Sequence, residues 1–320
     1  MLSQHLTPFA APRTGPSHGP AVAPRRARPP ARPAFTPWPW LDRTGAFAPL
    51  KAAVLALAFV PALILLGRWA TDDLGVEPLK EVLQQTGLWC LRLLLLGMAV
   101  TPLRQVLDWP QVVVVRRMLG LAALAYANLH LGFYLANEGF NLAKVATEIV
   151  SRFYLRIGFV ALLGLAALGW TSTDGWMRRL GRDWKRLHRL IFPIAILGIL
   201  HFFLHSKTAA SEAVMVAGAF AWLLLWRRLP AAHHGNPGAL LLLAPLTAVA
   251  AAGLEYAWYA LATSIPAERV LLANLDVAFG LRPALWVGVV AFGVAMAAGL
   301  RRLVPRLARG QARKQARATG

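Results

Sequence analysis

Apolar and polar residues fall in long blocks along this chain rather than alternating. Eight mostly apolar blocks stand out, at about 50–69, 86–103, 117–136, 153–172, 188–206, 211–228, 238–262 and 282–301. A helix rises ~1.5 Å per residue, so roughly 20 such residues cross the hydrocarbon core of a bilayer. Inside that core every backbone N–H and C=O must be paired within the protein, and a helix pairs them within one segment. The blocks therefore predict an all-α, polytopic transmembrane helix bundle. The second block is short and contains Arg92, a side chain that can snorkel or meet an anionic group. Pro102 and Pro193 are placed to bend the second and fifth helices. No internal repeat is present.

Composition supports this reading. The chain is 57% hydrophobic and only 15% charged, against about 25% charged in an ordinary soluble domain. The 34 lysines and arginines outnumber the 14 acidic residues, for a net charge of +20. Such a balance can indicate nucleic acid, but here the basic residues lie between apolar blocks, and topology explains them better. Arg104, Arg116 and Arg117 follow the second block. Arg178, Arg179, Arg182, Lys185, Arg186 and Arg189 follow the fourth, and Arg227 and Arg228 the sixth. Both tails are also basic. The alternate loops hold Asp72, Asp73, Glu77, Glu81, Glu138, Glu148, Glu212, Glu268 and Asp276. By the positive-inside rule the expectation is a bacterial inner-membrane protein with both termini cytoplasmic and no nucleic-acid partner. Residues 1–45, rich in Pro, Arg and Ala, read as a disordered basic tail. Residues 303–320 read as a second basic tail, suited to anionic lipid.

Ionisable side chains are costly within hydrocarbon and persist there mainly where they do a job. His130 lies in the third block; His188, His201 and His205 lie in or beside the fifth. Both blocks run the same way across the membrane, and His130 and His201 fall at similar depth in its outer half. Two imidazoles facing each other at one depth are what one bis-histidine haem requires. His188, 13 residues before His201, sits near the inner surface, about 140° away around an ideal helix. No histidine matches its depth on the third block, where Arg116 and Arg117 stand. It is a candidate for a second haem, for a flavin or quinone site, or for a helix-entry residue. His205 reads as an interfacial residue, and His233 and His234 as solvated loop residues. Cys90 is the only cysteine, so there is no CxxCH site and any haem is held non-covalently. Arg92, Arg152 and Arg156 are candidates to pair with haem propionates. No dinucleotide fingerprint and no P-loop are present, so electrons must come from another molecule. The rival classes are a non-haem transporter, whose histidines would move protons or metal, and a stand-alone ferric or oxygen reductase.

Several motifs then carry a resemblance. They are TPLR from Thr101 to Arg104, RRMLG from Arg116 to Gly120, YANLH from Tyr126 to His130, TSTDGW from Thr171 to Trp176, the run from Arg179 to Arg189, and the run from Leu200 to Lys207. In order and spacing, over residues 50–228, the chain resembles the MsrQ family of haem-binding membrane subunits, within the ferric-reductase-like transmembrane group. The resemblance implies a six-helix core, here followed by two additional transmembrane helices at 229–302. It implies haem b and, as a further cofactor, flavin mononucleotide (FMN). It also implies electrons drawn from the quinone pool or a reduced flavin. They would pass to a periplasmic, molybdenum-containing catalytic subunit, MsrP-like, that reduces methionine sulfoxide in proteins. His130, His188 and His201 fall on the family's haem-associated histidines.

Overall fold

Twelve α-helices account for about four fifths of the described chain. The computed structural model describes residues 38–318 apart from 43 and 279, with side chains up to residue 303. The expected disordered tail therefore lies mostly outside the described residues. The helices are α1 Pro49–Ala70, α2 Pro78–Val106, α3 Arg116–Asn137, α4 Leu142–Ser151, α5 Phe153–Trp170, α6 Asp174–Leu180, α7 Arg182–Leu187, α8 Ile191–Ser206, α9 Ser211–Arg228, α10 Pro237–Ala262, α11 Ala267–Ala273 and α12 Pro283–Ala318. Among the described residues there is no strand, only a single bridge between Leu41 and Phe47.

Among the described residues seven segments are long and apolar enough to cross a membrane, where the sequence suggested eight. The segment at issue is α9, which is an 18-residue helix carrying Glu212, Arg227 and Arg228. Its charges are accommodated by neighbours. Glu212 pairs with Arg92 of α2 at 2.9 Å. Arg227 donates to the carbonyls of Leu223 and Met98 and lies 5.2 Å from the ring of Phe192. The second span is also longer than its apolar block suggested: α2 begins at Pro78, eight residues before position 86.

α2 is the central helix, with half of its most apolar window buried against other helices. It packs on α3, α8 and α9, while α5 packs on α8. Leu91, Leu94, Ala123, Leu165, Ala195 and Val214 meet in the resulting core. The outer faces stay apolar and exposed: Leu57, Leu63, Leu242 and Val290 are examples. That distribution suits a lipid-facing surface. α1 is fixed to α3 by one hydroxyl. The Tyr126 O–H donates to the Ala58 carbonyl at 2.9 Å and accepts from the Ala62 N–H at 3.0 Å, beside Pro61.

The bundle has two unlike ends. One gathers Arg104, Arg116, Arg117 and the short helices α6 and α7, with Arg117 bound to Asp174 at 2.7 Å. The loop before α10 also belongs to this end. There His234, expected to be solvated, is packed: it stacks on Trp226 at 4.1 Å and its ring nitrogens meet Gln105 and the Leu229 carbonyl. The far end holds the start of α2 and α5 and the close of α3 and α8, and the site lies there.

Candidate functional site

α3 and α8 carry His130 and His201 toward each other near the far end. Their ring centres are 6.2 Å apart and the ring planes cross at 83°. Both rings open on a cavity of about 430 Å³, enclosed by α2, α3, α5 and α8 and lined largely by Leu, Ile, Ala and Phe side chains. A mostly apolar cavity of this size with a few polar groups is typical of a cofactor site.

The two histidines are seated in the same manner. His130 Nδ1 meets the Leu83 carbonyl of α2 at 2.8 Å, and His201 Nδ1 meets the Tyr154 carbonyl of α5 at 2.8 Å. A carbonyl can only accept, so each Nδ1 carries the proton and each Nε2 keeps its lone pair. No hydrogen bond occupies either Nε2 among the described residues. This tautomer is the one a metal ligand needs, and the carbonyl behind it fixes the ring.

Glycine makes these seats possible. Each accepting carbonyl is followed four residues later by a glycine, Gly87 after Leu83 and Gly158 after Tyr154. In a helix the Cβ of residue i+4 tilts back over the carbonyl of residue i. A Cβ at Gly87 would lie 2.8 Å from His130 Nδ1, and one at Gly158 would lie 2.7 Å from His201 Nδ1. Neither is sterically possible without a shift. The sequence reading missed both glycines. The available signal was a glycine facing each histidine at matched depth, and it needs the facing register to be read.

The separation itself tests the fit to a metal held from both sides. Metal–imidazole bonds of about 2.0–2.1 Å, with each ring centre roughly 1.2 Å behind its nitrogen, put the centres about 6.4 Å apart. The observed value is 6.2 Å. Among the described residues no three His, Cys, Asp or Glu side chains converge as a bare metal site. Two opposed imidazoles in an apolar slot suit a macrocycle that brings its own equatorial donors.

Other expected residues fall elsewhere. His188 is not brought to the cavity. It stacks on Trp184 at 3.9 Å, with Nδ1 3.1 Å from the Trp184 carbonyl and Nε2 3.3 Å from Ser172 Oγ. His205, read as interfacial, lines the cavity above His201 and lies 6.3 Å from the Tyr154 ring. The three arginines expected to pair with propionates are engaged with other groups. Arg92 is bound to Glu212 and stacked on Trp89, Arg152 is bound to Glu148, and Arg156 covers Phe153. None of them lines the cavity.

Residues 86–199 match the family described as ferric reductase like transmembrane component. The protein-methionine-sulfoxide reductase heme-binding subunit MsrQ of Xanthomonas campestris pv. campestris (strain 8004) is 44% identical over 203 residues, covering 58% of this chain and 92% of the relative. The chain belongs to the MsrQ family. The subunit of the same name from Xanthomonas axonopodis pv. citri (strain 306) is 45% identical over 185 residues, covering 55% of this chain and 84% of the relative. That of Rhodospirillum rubrum is 38% identical over 199 residues, covering 62% and 93%. No solved structure matches. The ferric reductase match includes His130 and His188 and ends two residues before His201. α10–α12 lie wholly beyond it, and the aligned part of this chain, 58% of it, already covers 92% of the Xanthomonas campestris relative.

Proposed function

We propose that this chain is the electron-carrying membrane subunit of a protein-methionine-sulfoxide reductase system, with haem b held between His130 and His201. The observation that carries this reading is the pair of imidazoles 6.2 Å apart, each tied at Nδ1 and free at Nε2. Bound haem would supply one-electron carriage within the membrane. The chain's own residues do the rest. Leu83 and Tyr154 orient the ligands through their carbonyls, and this contact raises ligand basicity. Gly87 and Gly158 let the rings approach. The apolar walls from α2, α5 and α8 exclude water and lower the local dielectric.

Electrons enter at the arginine-rich end in this reading, from the quinone pool or a reduced flavin, with FMN as a further cofactor. His188, Trp184 and Ser172 lie at that end beside Arg178, Arg179, Arg182 and Arg186, where an anionic phosphate or headgroup finds donors. Electrons leave at the far end to a periplasmic, MsrP-like catalytic subunit that reduces methionine sulfoxide. The relatives' names, as subunits of such a reductase, support the partner. The membrane is then the bacterial inner membrane, with both termini cytoplasmic. Residues 50–228 form the haem-binding core and 229–302 an added module.

The test is a reduced-minus-oxidised spectrum with pyridine haemochrome quantification on the purified full chain. A low-spin b-type spectrum is expected, and His130→Ala or His201→Ala should each abolish it, since either would remove one of the two imidazoles that would hold the iron. A full low-spin spectrum in both variants would overturn the assignment. A wild-type protein without haem would favour the transporter class. Reduction of iron chelates with no partner present would favour a stand-alone ferric reductase.

A further inference from the structure

The turn between α8 and α9 forms one wall of the cavity at its far end. Ser206 and Ala209 line the cavity there, next to His205 and Glu212. Within the turn itself the Ala209 N–H donates to the Ser206 carbonyl at 2.9 Å, which leaves the Lys207 and Thr208 carbonyls to partners elsewhere. Lys207 adopts φ 48, a left-handed conformation unfavourable for a residue with a side chain. Its carbonyl and that of Thr208 point away from any helix ladder.

Both carbonyls are taken by α10. The Trp258 indole N–H donates to the Lys207 carbonyl at 2.8 Å, and the Tyr259 hydroxyl donates to the Thr208 carbonyl at 2.7 Å. The Trp258 ring also packs on Phe203 at 5.1 Å, two residues beyond His201. One turn back on the same face of α10, Glu255 is 1% exposed. Its carboxylate accepts from Arg282 Nη2 at 2.8 Å, at the entry to α12, and from Asn274 Nδ2 at 2.9 Å, at the close of α11. A buried carboxylate is tolerated only when paired and hydrogen-bonded, so these contacts draw the 263–282 connection back onto α10 at the level of the two aromatic donors. α10–α12 thus grip the turn through two side chains and fasten their own connection through a third.

We propose that α10–α12 act as a strap that holds the 207–210 turn closed over the far end of the haem cavity. Trp258 and Tyr259 are its positioning residues, and Glu255 with Arg282 and Asn274 is its fastening. The consequence for haem rests on the reading of the cavity given above. The grip on the turn does not.

Two measurements on the full chain in lipid nanodiscs separate these parts. The variants are Trp258→Phe, Tyr259→Phe and their double; Tyr259→Phe removes only the hydroxyl donor, and Trp258→Phe removes the indole N–H while keeping a smaller aromatic ring beside Phe203. Leu261→Ala, on a residue 87% exposed, is the control. Hydrogen exchange of the 205–210 amides reads the grip directly and should quicken in both single variants. Haem transfer to excess apomyoglobin reads closure. At roughly a factor of five per lost hydrogen bond, haem loss should quicken about fivefold in each single variant and about 25-fold in the double. The purified haem-to-protein ratio and low-spin spectrum should stay as in wild type. Glu255→Gln, which leaves Arg282 without its counter-charge, should move both readouts the same way. Unchanged exchange at 205–210 in the double variant would overturn the strap. Faster exchange with haem loss within twofold of wild type would overturn its role in closure. A wild-type protein lacking haem would instead defeat the haem reading, while the exchange arm still reports on the grip.

Discussion

At Gly158 a single methyl group decides whether His201 can reach the Tyr154 carbonyl. The clash at 2.7 Å is with Nδ1 of the ring that would bind iron. In Gly158→Ala the ring must lift, and the Nδ1 hydrogen bond lengthens or breaks. Loss of such a second partner typically lowers metal affinity about 10–100-fold. The expected outcome is a lower haem-to-protein ratio. In the fraction that keeps haem, the midpoint potential should rise, because the ligand loses electron-donating character. Gly87→Ala should act in the same way through His130, while Gly132→Ala, with open space at its Cβ, should change neither quantity. Potentiometric titration of the three variants checks this, and equal potentials in all three would contradict it. His188 has a different expectation. Both of its ring nitrogens are engaged within the chain and no second histidine faces it, so His188→Ala should keep its full haem content. If electrons enter at the arginine-rich end, as proposed, reduction by quinol should slow, because the Trp184 stack there is lost. A reduced haem ratio in that variant would instead mark a second haem. The histidine pair was legible in the sequence because depth along two helices follows from residue counting. The glycine seats and the partners of Arg92, Arg152 and Arg156 were not, since each depends on which residue of another helix stands opposite.

The elements themselves were largely written in the block pattern, and the departures have local causes. α2 extends eight residues before its apolar block because Pro78 starts the helix and Glu81, Gln84 and Gln85 are good helix formers despite their polarity. α9 lacks a stretch as apolar as those of the other long helices because Glu212, Arg227 and Arg228 fall within its 18 residues; α2 meets two of these charges, through Arg92 and the Met98 carbonyl, a contact no single segment reveals. α1 is, with α5, among the least buried of the long helices, and the Tyr126 hydroxyl is its most specific contact. In Tyr126→Phe two backbone groups of α1 beside Pro61 lose their partner. With about 0.5–1.5 kcal/mol per hydrogen bond, the variant should be less stable by about 1–3 kcal/mol. Thermal unfolding in detergent would read this as a lower midpoint, with the haem spectrum unchanged below the transition because Tyr126 does not line the cavity. A midpoint equal to that of wild type would mean that α1 is held by lipid-facing packing alone.

For the whole molecule, α9 decides on which side of the membrane the chain ends. Seven crossings put the termini on opposite faces, and eight put them on the same face. Composition alone counts seven. The contacts of α9 argue that it is a further crossing. α8 closes at the far end, where Ser206 and Ala209 line the cavity. α10 opens at the arginine-rich end, where His234, three residues before it, meets Gln105 at the end of α2. α9 joins these two ends, with Glu212 at the level of Arg92 and Trp226 beneath His234. An even count then puts the arginine-rich loops, the start of α1 and the end of α12 on one face. That face should be cytoplasmic, because basic loops are retained there. Single cysteines on a Cys90→Ser background test the parity without truncating the chain. Ser264→Cys, between α10 and α11, should react with a membrane-impermeant maleimide in intact spheroplasts. Ala232→Cys, between α9 and α10, should react only after lysis. If the pattern reverses, with Ala232→Cys reacting in intact cells and Ser264→Cys only after lysis, α9 returns to the face it left, the count is seven, and the two termini lie on opposite faces.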